Sequence, residues 1–222
     1  MSQVIAIDGP AGAGKSTIAK KLANILNYNY LDTGAMYRAV TYSILQNKID
    51  INNKEEIKNL LQNINISILP SKKKEPTKIL LNQKEITQEI RKPKINKFVS
   101  KVAKIKIIRD KLVRQQRQIG SKNNIILDGR DIGTRVFPEA DFKFFLTASL
   151  DERAKRRYHE IKDNNPDLTL KQIKHKLKKR DQIDKKRQHS PLVIAEDAIE
   201  IDTTKLNINE VLSLILDRLK GE

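Results

Sequence analysis

Val4-Ile5-Ala6-Ile7-Asp8-Gly9-Pro10-Ala11-Gly12-Ala13-Gly14-Lys15-Ser16 decides the fold. Its first four residues are an unbroken apolar run that stops at Asp8-Gly9, the pattern of a short strand buried on both faces. From Ser16 to Leu26, apolar residues fall at Ile18, Leu22, Ile25 and Leu26, the spacing of one helix face. Between strand and helix, Gly9 to Ser16 fits G-x-x-x-x-G-K-[ST] at every position. Glycines let such a loop curl so that successive N–H groups point inward, and the helix N-terminus adds positive potential. Lys15 can then reach a transferred phosphate, and Ser16 can offer its hydroxyl to magnesium. Gly9, Pro10, Ala11, Gly12, Ala13, Gly14, Lys15, Ser16 and Thr17 are therefore the expected grip on a nucleotide's phosphates.

Working outward, further apolar runs end in the same way. Ile125-Ile126-Leu127 stops at Asp128-Gly129, Phe142 to Leu146 at Thr147, and Ile199-Glu200-Ile201 at Asp202-Thr203. Helical spacing is expected over Gly34 to Asn47, Lys54 to Gln62, Ile105 to Gly120, Leu150 to Lys162, Leu168 to Lys186 and Ile208 to Leu219. Apolar strands separated by helices predict an α/β fold with a parallel sheet covered on both faces. One region breaks this rhythm. Ile64 to Leu69 and Thr77 to Leu81 read as short strands joined by a lysine-rich turn, so residues 63–98 are expected to be an insertion in a single domain spanning 1–222. Asp163 to Asp167 is expected to be a mobile loop.

A chain of 222 residues with 38% hydrophobic and 32% charged residues describes a folded globular protein of one substantial core. It has no cysteine, which removes disulfides and cysteine-based metal or redox sites and fits a cytoplasmic location. No apolar run is long enough to cross a membrane, so no membrane partner is expected. The net charge of +17 favours polyanionic partners, although much of the excess is lysine among Ile and Asn, as in Lys92 to Lys106 and Lys171 to Lys186, and reads as solvated surface.

Arginines and carboxylates must then select the reaction. Leu31-Asp32-Thr33-Gly34-Ala35-Met36-Tyr37-Arg38 follows a second strand, placing Arg38 near the carboxyl edge of the sheet, with Thr33 as helix N-cap, ligand contact or both. Asp128 stands where a carboxylate near magnesium belongs, or serves only the turn; Ser16 and Asp128 are the metal candidates, Asp128 through water. Arg130 can grip phosphate with two parallel hydrogen bonds, and Asp131 can accept from an amino group on a base. Arg180, Asp184 and Arg187 fall at i, i+4 and i+7, either one functional helix face or a salt-bridged solvent face.

Taken together, these segments resemble bacterial cytidylate kinases along nearly the whole chain. The resemblance rests on Gly9 to Thr17, Leu31 to Arg38, Asp128 to Thr134 with Val136-Phe137-Pro138, and Arg180 to Arg187 before Ser190-Pro191-Leu192. It implies a five-stranded parallel sheet flanked by helices, an inserted substrate-binding subdomain, and a short lid at about 153–168. It implies transfer of a phosphoryl group from ATP, with Mg2+, to CMP or dCMP. Ser100, Arg109 and Asp131 match positions that read cytosine. Thr33, Arg38 and Arg130, with Tyr37 beside them, match positions that meet the substrate phosphate, and Arg180, Asp184 and Arg187 match positions serving the sugar and reacting phosphates. Arg153 and Arg157 look like lid arginines that contact ATP. Catalysis would fall to Lys15, Arg130, Arg180 and Arg187, and the partners would be ATP and CMP or dCMP, met by a monomer with no specific nucleic acid.

Two other readings compete. A P-loop kinase for AMP, UMP or shikimate would keep the sheet and change the pocket. A nucleic-acid-dependent ATPase would use the basic surface, but aromatics make up only 5% of the chain and supply few stacking platforms.

Overall fold

The computed structural model describes residues 2–69, 77–164 and 167–221. The chain divides into two compact units, one formed by Met1–Tyr30 with Asn123–Glu222 and the other by Leu31–Lys122. The lysine-rich turn between Pro70 and Pro76, and part of the loop expected at Asp163 to Asp167, lie outside the described residues.

The first unit opens with β1 (Val4–Asp8) and α1 (Lys15–Leu26). The chain passes into the second unit along β2 (Asn29–Asp32). There it forms α2 (Thr33–Gln46), α3 (Lys54–Asn63), β3 (Ile66–Leu69), β4 (Lys78–Leu81), β5 (Lys84–Glu85), α4 (Pro93–Val102) and α5 (Lys106–Gly120). Back in the first unit come β6 (Ile125–Asp128), β7 (Phe142–Thr147), α6 (Leu150–Ile161), α7 (Leu170–Lys185), β8 (Ile199–Asp202) and α8 (Ile208–Lys220).

The main sheet is parallel and five-stranded, in the order β2-β6-β1-β7-β8. β1 lies in the middle, paired with β6 on one side and β7 on the other, and every one of its residues is buried. That is why its sequence is an unbroken apolar run rather than an alternating one. Ile5, Ile7, Ile126, Phe144, Leu146 and Ile201 join Ile18 and Leu22 of α1 and Val211, Leu212 and Ile215 of α8 in one core. A smaller cluster of Ala11, Ala154, Ile173 and Leu177 packs the phosphate loop, α6 and α7 together.

In the second unit, β3 and β4 are the two short strands expected within 63–98, and they pair antiparallel with β5, which was not expected, as a three-stranded sheet. α4 begins within this stretch, where the sequence reading expected only strands and loops, and runs past its expected end at 98. Pro93 sits in its first turn, where a missing N–H costs nothing. Ile95, Val99 and Val102 are buried at i, i+4 and i+7, a helix signal hidden among exposed lysines.

Candidate active site

The phosphate loop leaves β1 through Gly9, where a Cβ would lie 2.0 Å from the Leu146 carbonyl oxygen of the neighbouring strand. No side chain fits there. At the far end Gly14 caps α1 with φ of 90°, and α1 carries no acidic residue in its first turn, so its N–H groups are left to an anion.

Lys15 departs from expectation. The sequence predicts an amine reaching a transferred phosphate; here the side chain is only 5% exposed and Nζ donates to the Pro10 carbonyl of its own loop at 2.7 Å. Burial drives its pKa well below the ordinary lysine value, and the neighbouring charges of Arg130 and Arg180 push the same way, against Asp128 and Asp8.

Asp128, buried at the end of β6, accepts from Ser16 Oγ at 2.7 Å on one oxygen and from Tyr30 OH at 2.6 Å on the other. Hydroxyl and carboxylate oxygens so close together fit a hard divalent cation that takes most of its ligands from phosphates and water. Among the described residues no group of three His, Cys, Asp or Glu could hold a metal by itself.

Asp184 gathers the arginines. It is buried on α7, and its Oδ2 lies 3.1 Å from Arg130 Nε and 3.9 Å from Arg180 Nε. Burial pushes its carboxyl up, but the charges of Arg130, Arg180 and Arg187 outweigh burial and hold it below the ordinary value. The i, i+4, i+7 reading holds only to Asp184, because α7 ends at Lys185 and Arg187 lies beyond its cap. The solvent-face alternative fails, since Asp184 and Arg187 are both buried. Asp131, also buried, leads into one wide helical turn, Ile132–Val136, in which Phe137 N–H donates to the Ile132 carbonyl.

Asp8 was read only as a strand end, yet it is buried and accepts from the Ile132 and Gly133 N–H groups at 2.9 and 2.8 Å. Burial pushes its carboxyl up to about 7; the two N–H donors and Lys15 pull it down, and Asp131 raises it. A raised carboxyl pKa means the folded state holds a proton that the unfolded chain has released between pH 3.8 and about 7. Stability from this group is therefore greatest at low pH and falls as pH rises through that window. Urea unfolding at pH 5 and pH 8 should show the wild type losing stability relative to Asp8→Asn, by up to a few kcal/mol. An unchanged gap would show that Asp8 ionises normally.

The two arginines expected in a lid divide. Arg153 is buried, with Nε on the Ala148 carbonyl at 2.9 Å and one terminal nitrogen shared between the Ala11 carbonyl at 3.1 Å and Asp181 at 2.7 Å. Arg157 is exposed and pairs with Glu160 at 2.8 Å. Between them Arg156, not singled out from sequence, reaches Glu152 and the Thr203 hydroxyl, both at 2.9 Å, beside Gly14.

In the second unit, Asp32 rather than Thr33 caps α2, accepting from Ala35 N–H at 2.8 Å while its other oxygen holds Arg38 at 2.7 Å. Thr33 is the first helical residue and is buried. Arg109 lies buried with its guanidinium 5.4 Å from the centre of the Tyr37 ring and donates to the Ala103 carbonyl at 3.1 Å. Ser100 is buried on α4.

Comparison with known proteins supplies the family. A family model described as cytidylate kinase matches residues 5–221. This chain belongs to the cytidylate kinase family. A cytidylate kinase of Alkaliphilus oremlandii is 52% identical over 217 residues, 98% of this chain and 97% of that protein. One of Clostridioides difficile is 49% identical over 216 residues, 97% of each. A solved structure of an uncharacterized protein from Eubacterium ventriosum shares the fold, with a TM-score of 0.53 at 14% identity and complete coverage of both chains. Within this cytidylate kinase family chain, the first unit alone gathers the phosphate loop, Asp128 and the arginines of Asp184. No helix among the described residues is long and apolar enough to cross a membrane.

Proposed function

We propose that the chain transfers the γ-phosphoryl group of ATP to CMP or dCMP, giving ADP and CDP or dCDP. One observation carries the reading beyond family membership: Arg130 and Arg180 converge on Asp184, at 3.1 and 3.9 Å, near Lys15, where burial and then the two guanidinium charges oppose protonation of the amine. Such a cluster is relieved by a polyanion, and phosphoryl transfer needs cations around the moving group. An oxygen of the monophosphate attacks the γ-phosphorus, the bond to the β–γ bridging oxygen breaks, and ADP leaves. Lys15 follows the charge on the moving group, while Arg130, Arg180 and Arg187 hold phosphate oxygens in line.

Gly9 to Thr17 cradle the phosphates of ATP, with Arg153 bracing the loop and Arg157 available from α6. Ser16 and Asp128 would hold Mg2+, which would neutralise phosphate charge and orient the β- and γ-oxygens. For the monophosphate we assign Asp131 and Asp184 in the first unit, and Thr33, Tyr37, Arg38, Ser100 and Arg109 in the second. Cytosine presents an amino group where uracil has a carbonyl, so Asp131 accepts from CMP and faces an oxygen in UMP. We assign residues 63–98 to the monophosphate-binding side and 153–168 to the lid. We place the reaction in the cytoplasm, where ATP is abundant, and assign it to a monomer.

An ADP-release assay with CMP, dCMP, UMP and AMP tests the reading. CMP and dCMP should turn over, with UMP and AMP slower by about 100-fold in kcat/KM, and Asp131→Asn should remove most of that preference. AMP or UMP as the best substrate of the wild type would overturn it.

A further inference from the structure

The turn that carries Arg130 and Asp131 is held by a side chain from another strand. Asp8 closes β1 one residue before the phosphate loop, and its two oxygens accept separately, Oδ1 from Ile132 N–H at 2.9 Å and Oδ2 from Gly133 N–H at 2.8 Å. A carboxylate that engages two successive backbone N–H groups fixes both their position and their orientation. The turn's own backbone bonds, from Arg135 and Val136 to the Asp131 carbonyl and from Phe137 to Ile132, close it on itself, and the backbone bond that links this segment to β1 lies before Arg130, from Gly129 N–H to the Ile7 carbonyl at 3.0 Å. Lys143 braces the same point, since a Cβ on Gly133 would lie 3.1 Å from Lys143 Cδ. The Lys143 amine is itself anchored, 2.7 Å from Asp197 Oδ2. The Ile132-Gly133 pair is thus gripped between β1 and β7.

Stability alone is a poor reason for this arrangement. An ionisable group this deeply buried is costly to the fold, and a neutral residue of the same size would cost it less. What only the carboxylate supplies is two acceptors at a fixed spacing.

From this geometry we propose that Asp8 is a positioning residue for the monophosphate: by holding the Ile132 and Gly133 N–H groups, it sets where the Arg130 guanidinium and the Asp131 carboxylate stand. The inference rests on the assignment of those two residues to the monophosphate and adds what places them.

Asp8→Asn tests it, because the amide keeps the size but turns one acceptor into a donor facing an N–H group. Asp8→Ser, which leaves one short acceptor, is the second variant. For each, CMP and UMP kinetics at saturating ATP are measured beside ADP binding by calorimetry without monophosphate and thermal unfolding near neutral pH. KM for CMP should rise roughly 30-fold and the preference for CMP over UMP should fall about tenfold, as displacement of substrate-positioning groups by a fraction of an ångström implies. Affinity for ADP should stay within about twofold and kcat should change far less than KM. Unchanged KM and preference in a folded variant would overturn the proposal, as would equal losses of ADP affinity and CMP affinity. Failure of both variants to fold would also overturn it, because Asp8 would then serve the fold. The underlying assignment fails separately, in the wild type, if CMP is not preferred over UMP; the change in KM for the best monophosphate still decides the role of Asp8.

Discussion

Lys15→Ala is expected to lower kcat by about three orders of magnitude, the scale seen when one preorganised charge facing a phosphoryl transition state is removed. Its melting temperature should nevertheless stay within a few degrees of the wild type. The amine is buried and hydrogen-bonded to the Pro10 carbonyl, which could be taken for a structural role. The surrounding charges argue otherwise. Burial, Arg130 and Arg180 all oppose its protonation, so the fold gives up little when the amine is lost. On the proposed function, a bound polyphosphate should reverse the balance, because an anion beside Lys15 favours the protonated amine. ADP-release kinetics and a melting curve check both halves. A large fall in melting temperature would assign Lys15 to the structure of its loop.

Asp184→Ala should damage stability and activity together. Removing the carboxylate leaves Arg130, Arg180 and Arg187 facing one another without the group that offsets their repulsion. Breaking a buried charge network this way costs about 3–5 kcal/mol, and displacing Arg130 and Arg180 should lower kcat/KM by at least about 100-fold. Because its pKa is depressed, the stability Asp184 contributes is present above the ordinary carboxylate value of 3.8 and lost as pH falls through its lower folded value. Urea unfolding of wild type and variant at neutral pH, then in acid, should show a wide gap that narrows only at the acid end. No gap at neutral pH would mean the arginines hold one another apart without help.

Which features could be read from the sequence follows from how local their causes are. β1, the phosphate loop and α1 were legible because a buried strand, a glycine loop and a helix face are each written in consecutive residues. The helices from α2 to α8 were found to within one or two residues, except α4, whose three buried apolar residues are interspersed with as many exposed lysines. Arg180 and Asp184 could be paired from their i, i+4 spacing, but Arg130 joining them depends on how β6 and α7 pack, which spacing along the chain does not encode. Asp8 was hidden for the same reason: its partners lie 124 and 125 residues away. Helix-end details, such as Asp32 in place of Thr33 as the cap, turn on which of two adjacent cap-forming residues stays extended, and Asp32 does so with φ of −77° and ψ of 93°.

The phosphate loop is tied down along its length by contacts within the protein. Gly9 lies against Leu146, Arg153 holds the Ala11 carbonyl, Thr203 holds the Ala13 carbonyl at 3.3 Å, and Lys15 spans back to Pro10. A loop fixed in this way has already surrendered its conformational entropy during folding. Capture of a polyphosphate then resembles docking onto a rigid mould, and the encounter rate is governed by diffusion and long-range attraction rather than by waiting for the mould to form.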